Sequence, residues 1–517
     1  MAKRAQPVSA GPGYGAAGFL AALVLGTLAA VAWRAETGGG LSAADWAAVR
    51  FTILQASLSA LISVGLAIPV ARALARRRFA GRSALIALLG VPFILPVIVA
   101  ILGLLEVFGR AGWISSLLGT FGFDPIRIYG LHGVVLAHVF LNLPLATRLI
   151  LQGWQEVPAE RFRLAAQLGF DAPAMFRLIE WPLLRQVIPG ALAVVFAICL
   201  TSFAVALTLG GGPKATTIEL GIYQAFRFEF DLGRAALLSG LQILIATAAA
   251  MVAIRLAQGT GFGTGLDRSL RRWDGRTTIA RLTDTVWIAL AAAFLLLPLG
   301  AIVASGVPGF AGLPFVVWKA AGVSLLVAIA STLLLLLAAL PMAAAIATGR
   351  HSIEVAGLLG LAASPLVIGT GLFILIRPVA DPFLLALPVT ALVNALMSLP
   401  FAMRILVPRA RDIVERYGKL GLSLDMAHGP FLWRVFLPRM RAQIGFAAGL
   451  GMALSIGDLG VITLFADPDI ATLPLQIYRL MGSYQMEAAA GGALLLLLLS
   501  VGTFWLLDRG GRYHAEV

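Results

Sequence analysis

Apolar segments of about 20 residues recur along the whole chain, separated by short polar connections. An α-helix needs about 20 apolar residues to cross the hydrocarbon core of a bilayer, whereas the strands of a membrane barrel are shorter and alternate in polarity. The pattern therefore predicts an all-α polytopic membrane protein with about twelve transmembrane helices. The predicted spans are residues 16–33, 50–75, 83–105, 129–151, 187–209, 234–256, 283–305, 320–347, 354–376, 383–406, 444–465 and 487–507.

The first apolar segment, residues 16–33, has an alternative interpretation as a cleaved signal peptide that ends at Ala30-Val31-Ala32. The segment is longer than the apolar part of a signal peptide usually is, so a retained first span is the favoured prediction.

The chain divides near its midpoint at a glycine-rich and then basic segment, residues 257–282. Six predicted spans on each side would place both halves in the membrane in the same direction. The sequence therefore predicts two fused six-helix parallel repeats, residues 1–256 and 283–517, joined by a cytoplasmic linker. Matching residues recur at a constant offset of 256: Leu143-Pro144 with Leu399-Pro400, Arg148 with Arg404, Leu164 with Leu420, Leu168 with Leu424, and Pro182 with Pro438.

Composition agrees with a membrane protein. Of the 517 residues, 60% are hydrophobic and only 12% are charged, whereas soluble domains carry about a quarter charged residues. The single cysteine, Cys199, excludes an internal disulfide, and we expect it to be a small buried residue because it lies in an apolar segment.

The net charge of +14 would suggest a nucleic-acid ligand in a soluble protein. In a membrane protein the positive-inside rule explains it, because lysine and arginine gather in cytoplasmic segments. With the N-terminus inside, 29 of the 39 basic residues fall on the cytoplasmic side. This distribution predicts that both termini are cytoplasmic, and no nucleic-acid partner is expected.

The most polar long segment, residues 158–182, predicts two short helices joined by a turn. Pro158 suits a first helical position, Gly169 the left-handed turn that ends a helix, and Asp171 the cap of the next one. Residues 415–438 are the corresponding segment of the second half. An ordinary loop that covers its own protein is the alternative interpretation of this pattern.

Ala165, Ala166 and Gly169, followed by Pro182, resemble the EAA loop of ABC-importer permeases. In that family the loop docks on a separate ATPase subunit, so the resemblance implies a coupling role for both segments. The usual glutamate of the motif is displaced, because Leu164 stands at its position. The resemblance implies the coupling residues Glu160, Ala165, Ala166, Gly169 and Asp171 in the first segment, and Gly421 and Asp425 in the degenerate second one.

Polar residues within predicted spans are costly and often mark a transport pathway. Ser202, Glu219 and Asp458 are the predicted pathway residues. Asp458 lies between two glycines, where helices or a ligand can approach closely, and a pairing role in packing is its alternative. His132 and His138 are more simply explained as solvated residues near a membrane surface.

Three consecutive glycines precede Lys214, but a phosphate-binding loop needs glycine immediately before its lysine, and Pro213 stands there. The sequence also lacks a metal-ligand cluster and a nucleophile–base motif. We therefore expect a protein that is not an enzyme and carries no cofactor. A permease subunit driven by a separate ATPase, an autonomous secondary carrier or channel, and a membrane scaffold remain, and the paired helix–turn–helix segments favour the first.

Residues 207–237 and 456–484 are similar to thiamine-importer permeases, and this similarity covers nearly the whole chain. It implies a type I importer (MetI-like) fold in the bacterial inner membrane. It also implies a dimeric ATPase and a periplasmic binding protein as partners, and thiamine or its phosphate esters as the transported ligand. Transport of iron(III) or another small solute by the same kind of permease is the alternative.

Overall fold

The computed structural model describes residues 7–35, 40–90, 92, 94–212, 215–256, 277–361, 364–465 and 470–512. These residues are helical, with no β-strand among them, and they include eleven helical segments long and apolar enough to cross a membrane. The predicted all-α polytopic fold is confirmed. Of the predicted linker, residues 257–276 lie outside the described residues.

The first half of the chain carries long helices interrupted by short ones. In chain order they are α1 Gly11–Ala35, α2 Ala43–Arg76, α3 Arg82–Leu88, α4 Val97–Phe108, α5 Trp113–Thr120, α6 Leu131–Glu156, α7 Ala159–Gln167, α8 Ala172–Met175, α9 Trp181–Leu200, α10 Phe203–Leu209, α11 Ile218–Arg227 and α12 Leu232–Leu256.

The second half has a similar succession of long and short helices. They are α13 Thr278–Ala311, α14 Phe315–Ala347, α15 His351–Leu358, α16 Pro365–Ile376, α17 Ala386–Ser423, α18 Gly429–Phe431, α19 Leu437–Ile456, α20 Gly460–Phe465, α21 Leu473–Gly482 and α22 Met486–Arg512. One π-helical turn precedes α9 at Phe176–Glu180, and another precedes α19 at Leu432–Phe436.

Four of the twelve predicted spans are not continuous helices. Residues 187–209 are divided between α9 and α10, and residues 444–465 between α19 and α20. Residues 83–105 are divided between α3 and α4, and residues 354–376 between α15 and α16. Pro96 precedes α4 and Pro365 begins α16. Because proline has no N–H to donate and its ring clashes with the preceding turn, both residues favour a new helix start over continuation of the helix before them. The prediction of a single uninterrupted helix at each place is wrong. The segments are so apolar that hydropathy does not indicate where one helix ends and the next begins.

The first helix of each half packs against the other half. α1 lies on α14 and α16, and α13 lies on α2 and α4. Glycine permits the close approach in both cases: a Cβ on Gly371 of α16 would lie 2.6 Å from the Thr27 carbonyl oxygen, and one on Gly103 of α4 would lie 2.5 Å from the Pro298 carbonyl oxygen. Small residues are the usual means of packing helices inside a membrane. The two halves therefore share one apolar core.

A buried ion pair also joins the halves. Asp284 of α13 is 3% exposed. Its Oδ1 accepts a hydrogen bond from Arg76 Nη2 at 2.6 Å, and its Oδ2 accepts one from Arg77 Nε at 2.7 Å. Because a carboxylate buried in this way is stable only with its partners in place, the pair fixes the start of α13 against the C-terminal end of α2.

Candidate functional site

Two transmembrane helices are interrupted at corresponding places in the two halves. α9 ends at Leu200 and α10 starts at Phe203, while α19 ends at Ile456 and α20 starts at Gly460. An interrupted helix leaves backbone carbonyl groups without partners, and inside a membrane those groups need other donors.

Buried amide side chains supply these donors. Gln55 of α2 donates from Nε2 to the Cys199 carbonyl oxygen at 3.0 Å, and Gln242 of α12 donates from Nε2 to the Leu200 carbonyl oxygen at 3.0 Å. Both glutamines are almost completely buried. In the second half Asn394 donates from Nδ2 to the Ser455 carbonyl oxygen at 3.5 Å and to Ser455 Oγ at 3.0 Å. The interruptions are therefore stabilised parts of the fold.

A cavity of about 240 Å³ lies where the two interruptions meet. It is lined by residues 201–204 and 457–460, by the starts of α4 and α16 at Pro96 and Pro365, and by Glu219 of α11. Both halves of the chain thus contribute to it, and most of its lining is apolar.

The structure brings all three predicted pathway residues into this cavity: Ser202, Glu219 and Asp458 line it together. Ser202 and Asp458 occupy equivalent places, each shortly after the end of its interrupted helix. Their role in transport stays a prediction, but their convergence is a property of the fold.

Glu219 is held in place from two sides. α11 begins at Ile218, whose N–H donates to Thr52 Oγ1 at 2.9 Å. The next residue, Glu219, is 1% exposed, and its Oε1 accepts a hydrogen bond from Gln242 Nε2 at 3.1 Å. The hydroxyl of Ser364 lies close to this carboxylate. Even so, Oε2 has no hydrogen bond of ordinary geometry to any described residue.

Asp458 has a second buried carboxylate oxygen that lacks a hydrogen bond of ordinary geometry. Its Oδ1 accepts from the Gly460 N–H at 3.2 Å, and the Val461 N–H lies close to the carboxylate. The buried Oδ2 has no hydrogen bond of ordinary geometry to any described residue. A carboxylate oxygen that is buried in apolar surroundings without a donor is costly. The cavity is therefore suited to a ligand that brings a positive charge or N–H donors.

His132, His138 and Asn142 do not line the cavity. His132 is exposed, as predicted. The interpretation of His138 as solvated is wrong, because its side chain is 2% exposed and its Nδ1 lies 3.2 Å from Ser59 Oγ between α6 and α2. Asn142 donates to the His138 carbonyl oxygen at 2.9 Å and lies 3.5 Å from Cys199 Sγ. These residues pack the first half together, and Cys199 is buried as expected.

The two predicted coupling segments share one turn. In the first, the Phe170 N–H donates to the Ala165 carbonyl oxygen at 3.0 Å, and Gly169 has φ +66°. In the second, the Met426 N–H donates to the Gly421 carbonyl oxygen at 2.8 Å, and Asp425 has φ +55°. Aspartate is one of the few residues that tolerate this left-handed conformation, so the degenerate second segment keeps the turn.

The segments differ in how they begin. α7 is a separate helix that starts after Pro158, and Asp171 caps α8 as predicted by accepting from the Ala174 N–H at 2.8 Å. In the second half α17 runs without a break from Ala386 to Ser423. Val414 stands 256 residues after Pro158, so nothing interrupts the helix there. The expected two short helices are replaced by the end of one long helix and the short α18.

The small residues of the motif do not lie on one face. Ala165 is 2% exposed and packs with Phe162 and Met175 in a small core within the first segment. Gly421 is buried at the equivalent place, where a Cβ would lie 2.6 Å from the Phe431 ring. The remaining predicted coupling residues are exposed: Glu160, Ala166, Gly169, Asp171 and Asp425.

Each coupling segment also exposes a pair of leucines that were not among the predicted coupling residues. Leu164 and Leu168 are 56% and 62% exposed, and Leu420 and Leu424 have the same values. Leucines four residues apart share one face of a helix. Their signal was two apolar residues at helical spacing in the most polar part of the chain, repeated at the constant offset.

The first segment is tied to α2 by a second buried ion pair. Glu180, the last residue of the π-helical turn before α9, is completely buried, and its Oε2 accepts from Arg72 Nε at 2.7 Å. The guanidinium group of Arg72 also lies 5.4 Å from the centre of the Phe176 ring. The equivalent of Glu180 in the second half is Phe436, which is buried in an apolar environment.

Comparison with known proteins gives consistent relatives, although no protein-family model matches the chain. The thiamine transport system permease protein ThiP of Escherichia coli (strain K12) is 40% identical, with 98% of each chain covered. The protein of the same name from Brucella abortus (strain 2308) is 38% identical over 96% of this chain and 94% of its own. That from Haemophilus influenzae is 34% identical over 87% of this chain and 86% of its own.

Proposed function

The chain belongs to the family of thiamine transport permeases within the MetI-like ABC-importer permeases, and we propose that it carries thiamine, or its phosphate esters, from a periplasmic binding protein into the cytoplasm. It is a multi-pass protein of the inner membrane. The observation that carries the proposal is the cavity between the halves, which offers two carboxylates to a ligand. Thiamine contains a positively charged thiazolium ring and an amino group, so its chemistry matches the cavity.

The cavity forms part of the pathway in this proposal. Transporter binding sites usually lie between two repeats, where interrupted helices meet near the middle of the membrane. Ser202, Glu219 and Asp458 then line the route that thiamine takes. The repeats are residues 1–256 and 283–517. A pair of equivalent anchors supports this division: Ile218 N–H donates to Thr52 Oγ1, and Leu473 N–H donates to Ser324 Oγ.

Energy for uptake comes from a separate ATPase dimer, since the homologous ABC permeases have no ATPase site of their own. We assign its docking sites to residues 158–182 and 415–438, because each exposes a leucine pair beside a rigid turn. The exposed motif residues, Glu160, Ala166, Gly169, Asp171 and Asp425, surround these leucines. Ala165 and Gly421 are buried, and their small size lets the residues after the turn pack closely against the helix.

The docking sites also set the orientation. An ATPase that uses cellular ATP lies in the cytoplasm, so both coupling segments, both termini and residues 257–282 are assigned to the cytoplasmic side. The excess of basic residues in those segments supports this direction. The binding protein then approaches the opposite side of the membrane. If changes in these segments weaken ATPase binding, that result supports the cytoplasmic orientation of both segments as well.

Competition for uptake tests the substrate. We expect membrane vesicles that contain the chain, its ATPase and its binding protein to take up labelled thiamine. Excess unlabelled thiamine or thiamine phosphates should abolish this uptake, because they share the thiazolium ring. Iron(III) citrate, sulfate and spermidine at the same excess should leave it unchanged. No uptake of labelled thiamine, together with ATP-dependent uptake of one of these three solutes when that solute carries the label, would assign the permease to that solute.

A further inference from the structure

We propose that the cavity is a binding site for the cationic ring of the transported molecule, and that Glu219 is the residue that recognises its charge. This inference rests on the proposed function and adds to it a site within the membrane. It assigns selectivity to the permease itself, in addition to any selectivity of the binding protein.

The first observation is the state of the two carboxylates. Glu219 is more than nine-tenths buried, lines the cavity and has one oxygen that makes no hydrogen bond of ordinary geometry to a described residue. Asp458 contributes a second oxygen of the same kind. None of the described residues that line the cavity is lysine, arginine or histidine. No basic side chain of the described lining can therefore balance a negative charge on either residue, and a cationic ligand would supply that balance.

The second observation is the asymmetry of the site. α11 and α21 are each anchored by the N–H of their first residue, Ile218 or Leu473, which donates to a hydroxyl of another helix. The residue that follows Ile218 is Glu219, whereas the one that follows Leu473 is Pro474. Asp458 likewise corresponds to Ser202. Each half thus contributes one carboxylate from a different element, and packing between equivalent helices does not require either of them.

The third observation connects the site to the helix interruption. Gln242 Nε2 donates both to Glu219 Oε1 and to the Leu200 carbonyl oxygen at the end of α9. One amide group therefore fixes the position of the Glu219 carboxylate relative to the end of α9. Gln242 is a positioning residue in this account, and Glu219 is the residue that contacts the cation.

The test is equilibrium binding of labelled thiamine to the purified permease–ATPase complex without the binding protein. Glu219→Gln keeps the size of the side chain and removes its charge. We expect it to raise the Kd for thiamine by about 10- to 100-fold, because hydrogen bonds to charged groups are the strong ones. Affinity for 3-deazathiamine, which has a neutral ring of the same shape, should change less than about threefold. Asp458→Asn should likewise raise the Kd for thiamine more than the Kd for the neutral analogue.

Glu106→Gln is the matched control, because Glu106 lies in α4 and does not line the cavity. It should leave both dissociation constants unchanged. Unchanged thiamine affinity in both Glu219→Gln and Asp458→Asn would overturn the proposal, as would equal weakening of thiamine and its neutral analogue, which would indicate a structural role. Absence of thiamine binding to the unmodified complex would also overturn it, while uptake in vesicles, measured separately, would still report on the proposed function.

Discussion

Replacing Leu164 and Leu168 together by alanine is expected to raise the dissociation constant of the ATPase by about 10- to 100-fold, because a few apolar residues contribute most of the binding energy of protein interfaces. Both side chains are more than half exposed, so the change removes contact area without opening a cavity in the fold. ATP-dependent thiamine uptake should fall in parallel. The measurement is the dissociation constant of the purified ATPase for the permease in lipid nanodiscs.

The matched control is a pair of exposed leucines with the same spacing elsewhere. Leu333 and Leu337 are 58% and 72% exposed, and they lie in α14, a helix long and apolar enough to cross a membrane. Their replacement by alanine should leave ATPase affinity unchanged. Equal affinity of the Leu164/Leu168 variant and the unmodified protein would contradict the docking assignment and, with it, the orientation derived from it.

Replacing Gly371 by leucine is expected to remove most of the folded protein from the membrane. The Cβ alone would lie 2.6 Å from the Thr27 carbonyl oxygen and 2.9 Å from its Cα. Since these are backbone atoms, α1 and α16 must separate to admit any side chain. Overpacking of this kind costs about 1–3 kcal/mol or more, and here it acts on a contact that joins the two halves. The yield of monodisperse protein after extraction in mild detergent measures the effect.

Gly300→Leu supplies the comparison, because Gly300 of α13 is exposed and a Cβ there would meet no atom within 4 Å. Its yield should equal that of the unmodified chain. A normal yield and normal melting temperature for Gly371→Leu would show that the contact between α1 and α16 does not hold the halves together.

Much of the fold could be predicted from the sequence because the membrane imposes a simple rule on helix length. Most of the predicted spans coincide with long helices, and the exceptions are informative. Residues 83–105 and 354–376 are as apolar as the others, so average hydropathy does not register the interruptions before Pro96 and Pro365. The packing of α1 and α13 on opposite halves depends on glycines whose partners lie far away in sequence, and no local pattern specifies such partners.

The candidate site was partly predictable for a related reason. Ser202, Glu219 and Asp458 stand out because polar groups are rare in apolar segments, and the structure places them in one cavity. Their meeting depends on the two helix interruptions and on Gln242, which no local motif indicates. In the coupling segments the alanine and glycine residues drew attention, yet Ala165 is turned inward and the exposed leucines were missed. Leucine is common in so apolar a chain, so its presence alone does not indicate an exposed docking residue. The side of α7 that is covered depends on how α8 packs against it.

The most direct test of the account is uptake by proteoliposomes that contain the purified chain and its ATPase, with the binding protein outside and ATP inside. Labelled thiamine should accumulate against its gradient only when all four components and thiamine are present, and replacement of ATP by a nonhydrolysable analogue should stop it. Accumulation in proteoliposomes that lack the ATPase would contradict the central claim, because the chain would then be an autonomous carrier.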